Sequence, residues 1–307
     1  MIKMLTAYTT EVDFAEDALA DLLPQLDLEK NLLKNSVGII SCYNEFIDTG
    51  VVGELCKALP FDTVGFTTLA TAACGEAGRE SLTLCVLTSD DVQFSTAYSA
   101  DIKPDTYQKT IPDTYAAARK ELGGDPSLAF AFLPMLGDIT SSKMLGSLTN
   151  KAPGVPVFGT VSCSHNIKSE HRAIIHNGDA GDRTMALLLF HGEVNAKFFV
   201  ISLSEGNIQK KRGTVTKSEM DLVMEVDGLT FVDYLESLGV PHNIIIDSPT
   251  TLPMMLDFGD GAQSTASGLY HIAPEGYALF GTEVPVGVKI ALGKLDRNGI
   301  LDTAKRS

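Results

Sequence analysis

Hydroxyl side chains follow two apolar stretches of the sequence, at places where a ligand could be held. Thr67 and Thr68 close a run that begins at Thr63, and Thr160–Ser162 close a run that begins at Val155. Ligands of α/β proteins bind at the ends of such strands, because backbone groups there lack ladder partners. The hydroxyl groups could fix a small polar ligand such as an amino acid. Serine and threonine are also ordinary turn residues, so turn chemistry is the alternative explanation.

Three histidines and one cysteine offer other kinds of chemistry. His165, His171 and His176 are close in sequence and could bind a transition metal or haem iron. Their spacing matches no standard zinc pattern, and surface loops often contain histidines. Cys163 lies two residues from His165, so the two side chains share one face of an extended segment and could form a thiol–imidazole pair. A catalytic triad needs a third, orienting group, and none is evident.

The composition narrows the class of protein. The 307 residues are 44% hydrophobic and 21% charged, which is globular composition for a chain long enough to form two domains. The net charge of −15 argues against nucleic-acid binding. The apolar runs, such as Met185–Phe190, are far shorter than the roughly 20 residues of a membrane helix. Met1–Thr10 lacks the apolar core of a signal peptide. We therefore expect a cytoplasmic protein without membrane insertion.

The first two thirds of the chain repeat one order of elements. Each copy has a strand, a helix, a strand and then a pair of strands, with Gly65 and Gly159 in equivalent positions, 159 − 65 = 94 residues apart. This predicts a degenerate internal duplication. The predicted elements are helices at 15–26, 49–59, 113–122 and 141–150, strands at 37–42, 63–68, 128–133 and 155–162, and strand pairs across 81–98 and across 184–190 with 196–203.

Four local features refine these elements. Thr10 is predicted to cap the first helix, and Pro24 to kink or end it. Asp90-Asp91 is predicted as the turn between two paired strands. Pro112 is predicted to lie in the first turn of the helix that joins the copies.

After Leu203 the pattern changes to a sheet-rich second domain. An edge strand is predicted at 211–216 and a second strand at 223–226, with Asp227-Gly228 as its turn. Thr230 is predicted to cap a short helix that Gly239 ends. Further strands are predicted at 243–246, 268–272, 278–282 and 287–292. The sequence thus predicts a first domain over 1–203 and a second over 204–307.

In this order of elements the chain resembles the FIST family of intracellular signal-transduction domains, which are held to sense small molecules. Gly154–Gly159 resembles the family's Gly-x-Pro-x-x-Gly strand, and His176–Gly178 before Thr184–Phe190 resembles its Asn-Gly turn before a strand. Glu225–Gly228 and Phe280–Lys289 resemble segments of the family's C-terminal half. Thr160 stands where the family tends to have a second glycine, and the loop from Ser162 differs from the small acidic loop expected there. Family members usually continue beyond the equivalent of Ser307, which leaves open whether the second domain is truncated.

The resemblance implies an α/β fold of duplicated strand–helix–strand units forming mixed sheets, with a smaller sheet-rich C-terminal domain. It implies a sensor, not an enzyme, that binds a small metabolite and relays this to a signalling partner in trans, such as a histidine kinase or a chemotaxis component. A haem-binding nitric oxide sensor is the alternative, and otherwise no cofactor is expected. A cysteine hydrolase built on Cys163 is a third hypothesis. The ligand-binding residues are predicted to be Thr67, Thr68, Gly159, Thr160, Ser162, His165 and Asn177.

Overall fold

The computed structural model forms two compact units, Met1–Ala196 and Lys197–Ser307. The structure describes the whole chain except residues 74, 165–171, 199–202, 204, 248–251, 260–264, 295, 297, 299–300, 302–304 and 306–307. Among the described residues, no helix is long and apolar enough to span a lipid bilayer.

The first unit alternates strands and helices along most of its length. Its helices are α1 (Ala15–Leu26), α2 (Leu28–Asn31), α3 (Glu45–Asp48), α4 (Val51–Ala58), α5 (Tyr107–Glu121) and α6 (Ser141–Lys151). Its strands are β1 (Ile2–Thr9), β2 (Asn35–Cys42), β3 (Thr63–Thr67), β4 (Thr71–Ala73), β5 (Glu76–Gly78), β6 (Leu82–Ser89), β7 (Gln93–Tyr98), β8 (Leu128–Leu133), β9 (Val157–Val161), β10 (Ile174–His176), β11 (Asp179–Gly181) and β12 (Ala186–His191).

Two sheets repeat the same topology, which confirms the predicted duplicated α/β fold. The first sheet has the strand order β1-β6-β2-β3-β10-β11, and the second has the order β7-β12-β8-β9. In both, the first three strands are antiparallel neighbours and the fourth runs parallel to the third. The β10–β11 hairpin comes from the second copy in sequence but pairs with β3 of the first. It therefore ties the two copies together.

The two sheets pack against each other through an inner apolar layer, with helices on their outer faces. The inner layer contains Val37 and Val64 from the first sheet and Leu188 and Phe190 from the second. The rings of Phe66 and Phe132 stack across it, with centroids 5.6 Å apart. The helices α1 and α4 cover the first sheet and α5 and α6 cover the second. Strands buried on both faces have continuous apolar sequences, and β12 begins Ala-Leu-Leu-Leu-Phe for that reason.

The glycine in each copy allows a close approach of the two parallel strands. Gly65 lies opposite Ile40, and Gly159 lies opposite Ala131. A Cβ atom on Gly65 would clash with the carbonyl oxygen of Ile40, and one on Gly159 would clash with that of Ala131. The same glycine in the same register supports the predicted duplication.

Three local predictions in the first unit are wrong. β6 and β7, predicted as a pair joined at Asp90-Asp91, lie in different sheets, because the side chain of Ser89 turns the chain by accepting hydrogen bonds from two following amides. Thr10 does not cap α1. The amide of Phe14, the N-cap residue, donates to the Glu11 carboxylate instead. Pro112 lies inside α5 and not in its first turn, because the helix begins at Tyr107, before the predicted start, and buries Ile111 in its second turn.

The predicted strand pair at the end of the first domain has a different outcome. β12 pairs with β7 and β8, and the segment 196–203 that was expected to pair with it lies largely outside the described residues.

The second unit is built around one antiparallel sheet whose strands differ in length. Its strands are β13 (Ile208–Glu219), β14 (Leu222–Val226), β15 (Leu229–Thr230), β16 (Met254–Asp257), β17 (Thr265–Ser267), β18 (Leu269–Ile272), β19 (Ala278–Phe280) and β20 (Lys289–Gly293). Its helices are α7 (Phe231–Ser237) and α8 (His242–Asp247), with a 3₁₀ turn at Glu205–Asn207. The strand order is β17-β16-β20-β13-β14-β19-β18, with β15 on β14. The core of this unit includes Phe231, Tyr234 and Phe280.

The local signals in the second unit are confirmed at its turns. The Thr230 side chain accepts a hydrogen bond from the Asp233 amide at the start of α7, as a cap should. Asp227 and Gly228 both have positive φ, at 52° and 79°, and form the predicted turn after β14. Gly239 follows α7 with a φ of 84°.

Two predictions in this unit are wrong. The segment 211–216 belongs to β13, which lies between β14 and β20 and is not an edge strand. The basic side chains of Lys210, Lys211 and Arg212 are exposed, whereas Val215 is buried. The segment 243–246 is part of the helix α8, whose first turn closes on the carbonyl of Pro241. A short apolar run does not distinguish a strand from a buried helical turn.

Substitution of either close-contact glycine should destabilise the first unit. Gly65→Ala and Gly159→Ala each place a methyl group against a backbone oxygen, so we expect the free energy of unfolding to fall by about 1–3 kcal/mol or more. Gly146→Ala on α6 is the matched control, because a Cβ there meets nothing within 4 Å. It should raise the free energy by up to about 1 kcal/mol. Urea unfolding followed by circular dichroism measures all three, and equal effects would contradict the close-approach explanation.

Candidate functional site

The carboxyl ends of the parallel strands from the two copies meet in the first unit. The amide of Cys163, just beyond β9, donates a hydrogen bond to the carbonyl oxygen of Thr67 at the end of β3, at 2.8 Å. Within each copy, an equivalent bond extends the parallel pair by one residue. The Thr68 amide donates to Cys42 at 2.9 Å, and the Ser162 amide donates to Leu133 at 2.8 Å. The predicted equivalence of the two strand ends therefore holds in the structure.

A cluster of buried polar side chains occupies this meeting point. We call Asn44, Thr67, Ser162 and Ser164 the strand-end cluster, and each of these residues is at most 7% exposed. Asn44 Nδ2 donates to Ser164 Oγ at 3.4 Å, which connects the loop after β2 with the loop after β9. Thr67 Oγ1 accepts a hydrogen bond from the Ala173 amide at 3.0 Å, next to β10. The cluster therefore contains hydroxyl and amide groups and no ionisable side chain.

Ser162 differs from the two other hydroxyl residues of the cluster, Thr67 and Ser164. Its side chain is fully buried, and its Oγ atom has no hydrogen-bond partner among the described residues. Leaving a buried hydroxyl without a partner costs about 1–3 kcal/mol, so native structures rarely keep one without a reason. This atom therefore makes the cluster the candidate functional site of the first unit.

The remaining predicted residues lie at varying distances from the cluster along the chain. Thr68 follows β3 directly, is partly exposed, and donates through Oγ1 to the carbonyl of Ala70 at 3.3 Å. Gly159 and Thr160 lie within β9, before the strand end, and Thr160 Oγ1 donates to its neighbour Val161 at 3.4 Å. His165 lies outside the described residues.

Asn177 is at the opposite end of β3 from the cluster. With Gly178 it forms the turn between β10 and β11, and its φ of 51° is the left-handed value that such a turn requires. Its side chain accepts from the Thr63 amide at 2.7 Å and donates to Asp62 at 3.0 Å. These bonds hold the hairpin against the start of β3, so Asn177 does not join the other predicted ligand residues.

Asn44 and Ser164 are the members of the cluster that sequence reasoning missed. Each lies just beyond a strand, Asn44 two residues after β2 and Ser164 three residues after β9. The rule that identified Thr67 and Ser162, polar side chains at carboxyl ends of parallel strands, could have found both residues if applied to every strand end.

Comparison with known families decides the identity of this fold. A model of the FIST N domain matches residues 36–229, which include every member of the strand-end cluster. The chain belongs to the FIST family. Membership supports a role in signal transduction through the sensing of small ligands. The match extends past residue 203, where sequence analysis ended the first domain, and the assignment of the rest to a FIST C-like domain stays a prediction.

Other comparisons add little to the family match. Among solved structures, the FIST chain resembles a cyanuric acid hydrolase with a TM-score of 0.36 and 10% sequence identity, over 96% of this chain and 99% of that one. A likeness this distant says nothing about activity. No curated protein gave a significant match.

The histidines proposed as metal or haem ligands do not meet at the strand-end cluster among the described residues. His165 and His171 lie outside the described part of the chain. Within that part, there is no group of three or more His, Cys, Asp or Glu side chains placed to hold a metal ion. The strand-end cluster presents hydroxyl and amide groups, which are not the axial ligands that haem iron takes.

His176, the third histidine, has its own partners away from the cluster. Its Nε2 lies 3.0 Å from Thr96 Oγ1, and its ring stacks on Tyr98 with centroids 5.5 Å apart. The Thr96 hydroxyl donates to the Asp62 carboxylate at 3.0 Å and must therefore accept from His176, which makes Nε2 the protonated nitrogen. Nε2 thus forms a hydrogen bond that joins β10 of the first sheet to β7 of the second.

The surroundings of Cys163 give little support to the hypothesis that it is a catalytic nucleophile. Its thiol lies 3.9 Å from the carbonyl oxygen of Ser164, and the histidine proposed as its base, His165, lies outside the described residues. Cys42, at the end of β2, is fully buried, and burial raises the pKa of its thiol far above the usual range. Cys42 is therefore a packing residue.

A separate cavity of about 340 Å³ lies in the second unit. Phe258 and Tyr270 line it together with Thr265 and Ser267, and a Cβ on Gly281 would lie 2.7 Å from the Tyr270 ring. No residue predicted from sequence lines this cavity, and it lies beyond residue 229, where the FIST N match ends.

The buried imidazole of His176 should make stability depend on pH. Burial lowers its pKa below the ordinary value of 6.5, although Asp62 and Asp179 act in the opposite direction. The unfolded chain therefore binds a proton that the folded chain does not, so the free energy of unfolding is full above pH 6.5 and falls as pH is lowered. The loss should end below the folded-state pKa. His176→Gln retains a donor for Thr96 without this titration, so its urea-unfolding free energy should fall less over the same pH range. Parallel pH profiles for the two proteins would contradict this assignment.

Proposed function

We propose that this FIST protein is a sensor that binds a small polar metabolite, such as an amino acid, at the strand-end cluster. The observation that supports this most strongly is the buried Oγ of Ser162, which has no partner among the described residues. A ligand atom within hydrogen-bonding distance would satisfy this hydroxyl and remove the energetic cost of its burial.

The chemistry of the cluster suggests the kind of ligand. Hydroxyl groups both donate and accept, and the Asn44 amide presents a donor and an acceptor. A ligand that matches them carries several hydrogen-bonding groups of both kinds and is small enough to lie among four side chains. Since the cluster itself has no charged side chain, a neutral or zwitterionic metabolite fits it better than a strongly charged one.

The position of the cluster suggests how binding could be transmitted. Thr67 belongs to the first copy and Ser162 to the second, and the Cys163–Thr67 backbone bond joins them at this point. A ligand held by both copies would strengthen their association and stabilise one arrangement of the first unit. A change in that arrangement could alter a docking surface for a partner. We propose that another chain, such as a histidine kinase or a chemotaxis component, supplies the output.

The test is a thermal-shift screen against amino acids, small organic acids, nucleotides and haem. A ligand at a hundred times its dissociation constant adds about 2.7 kcal/mol to the free energy of unfolding, which is measurable as a rise in Tm. Ser162→Ala should remove the shift. In the absence of ligand it should leave stability unchanged or raise it by up to about 1 kcal/mol, because it deletes an unpartnered buried hydroxyl.

Ser89→Ala is the matched control. Ser89 is also a fully buried serine of the first unit, but its Oγ donates to Met1 and accepts from two amides. It should lower the Tm and retain the ligand shift. A shift with haem alone, or a metabolite shift that survives Ser162→Ala, would refute the proposed site.

A further inference from the structure

The two copies differ at one equivalent position, the outer edge of the fourth strand. In the first copy, β10 pairs along the outer edge of β3, so that Ile175 lies opposite Gly65. In the second copy, β9 ends the sheet, and no described residue pairs with its outer edge. The internal duplication thus shows how this edge of the fourth strand accepts a neighbour.

The backbone of β9 presents its hydrogen-bonding groups outward at alternate residues. The Ser162 amide donates to Leu133, and the Ala129 amide donates to Pro156, so the even-numbered residues face β8. The amide and carbonyl groups of Val157, Gly159 and Val161 therefore point to the open edge. The outer edge becomes occupied at Cys163, whose amide bonds to Thr67. Among the described residues, the part of this edge that no other strand pairs with is therefore β9 itself, Val157–Val161.

β9 also lacks two features that protect edge strands. Its sequence, Val-Phe-Gly-Thr-Val, contains no charged residue and no proline, which are the usual devices against edge-to-edge pairing. Phe158 is 58% exposed, whereas its equivalent in the first copy, Val64, is fully buried. An exposed phenylalanine on an unprotected edge is typical of an interaction surface.

We propose that β9 pairs with β9 of a second copy of this chain. The first copy supplies the geometry, because β3 and β10 are antiparallel and centred on Gly65. Transferred to β9, this register places Gly159 opposite Gly159 of the second copy and Phe158 opposite Thr160 of the second copy. A two-fold axis between two glycines is sterically open, and only antiparallel pairing of identical strands obeys two-fold symmetry. The second sheets of both copies then form one continuous sheet.

The strand is suited to a second copy more than to an unrelated partner. The three outward residues pair as Val157 with Val161, Gly159 with Gly159 and Val161 with Val157, which gives about six backbone hydrogen bonds. Each Phe158 covers a threonine of the other strand. Because β9 has no charged side chain, no like charges meet along the paired strands, although each chain has a net charge of −15.

The experiment is sedimentation equilibrium of the full chain over a range of concentrations. Wild type should have twice the chain mass of 32.8 kDa. Phe158→Lys puts a charge on the open edge and should weaken dimerisation by at least about tenfold, because a lysine there opposes strand pairing. Phe14→Lys is the matched control, since Phe14 is 65% exposed and lies before α1. It should leave the dimer unchanged.

Hydrogen exchange gives a second measurement that does not depend on a variant folding. Amides of Val157, Gly159 and Val161 should exchange more slowly in wild type at dimeric concentrations than after dilution. A wild type that stays monomeric at all concentrations would overturn the proposal. So would a dimer whose β9 amides gain no protection, or one that Phe158→Lys leaves as tight as before, since each would place the contact elsewhere.

Discussion

The face-to-face packing of two sheets is the constraint on which the first unit depends. Each sheet must bury both faces, one against the other sheet and one under helices, so its central strands consist largely of apolar residues. Because the sheets share one inner layer, the two copies cannot shift independently. The same packing brings the strand ends of the copies together at Thr67 and Cys163. The polar cluster therefore follows from the way the duplicated sheets associate.

Much of this fold could be predicted from patterns that are local in sequence. The repeated glycine at positions 65 and 159 marked the duplication because close strands exclude a side chain there. β8 was predicted with its observed bounds, since its apolar run begins after Ser127 and ends before Pro134. The pairing partners of the strands were harder to predict, because adjacency in sequence does not determine which strands pair. β6 and β7 follow each other directly, yet they pair in different sheets.

The candidate site was predictable in part for the same reason. Thr67 and Ser162 were found because the ends of parallel strands follow from the order of elements. Which ends meet depends on tertiary packing, so the contact between Asn44 and Ser164 could not be inferred from either segment alone. The turn at Asn177 was recognisable as a turn, but a turn motif does not reveal which end of a neighbouring strand it will contact.

The β10–β11 hairpin has a consequence for synthesis on the ribosome. The first copy ends its own strands before residue 100, but the edge of its sheet is completed only by a hairpin encoded after residue 170. A nascent chain that has emerged only as far as the first copy therefore exposes β3 without its neighbour. Domains generally fold as units, so the first copy is held incomplete until the second follows. Duplication here has produced two halves that resemble each other but mature together, as one folding unit.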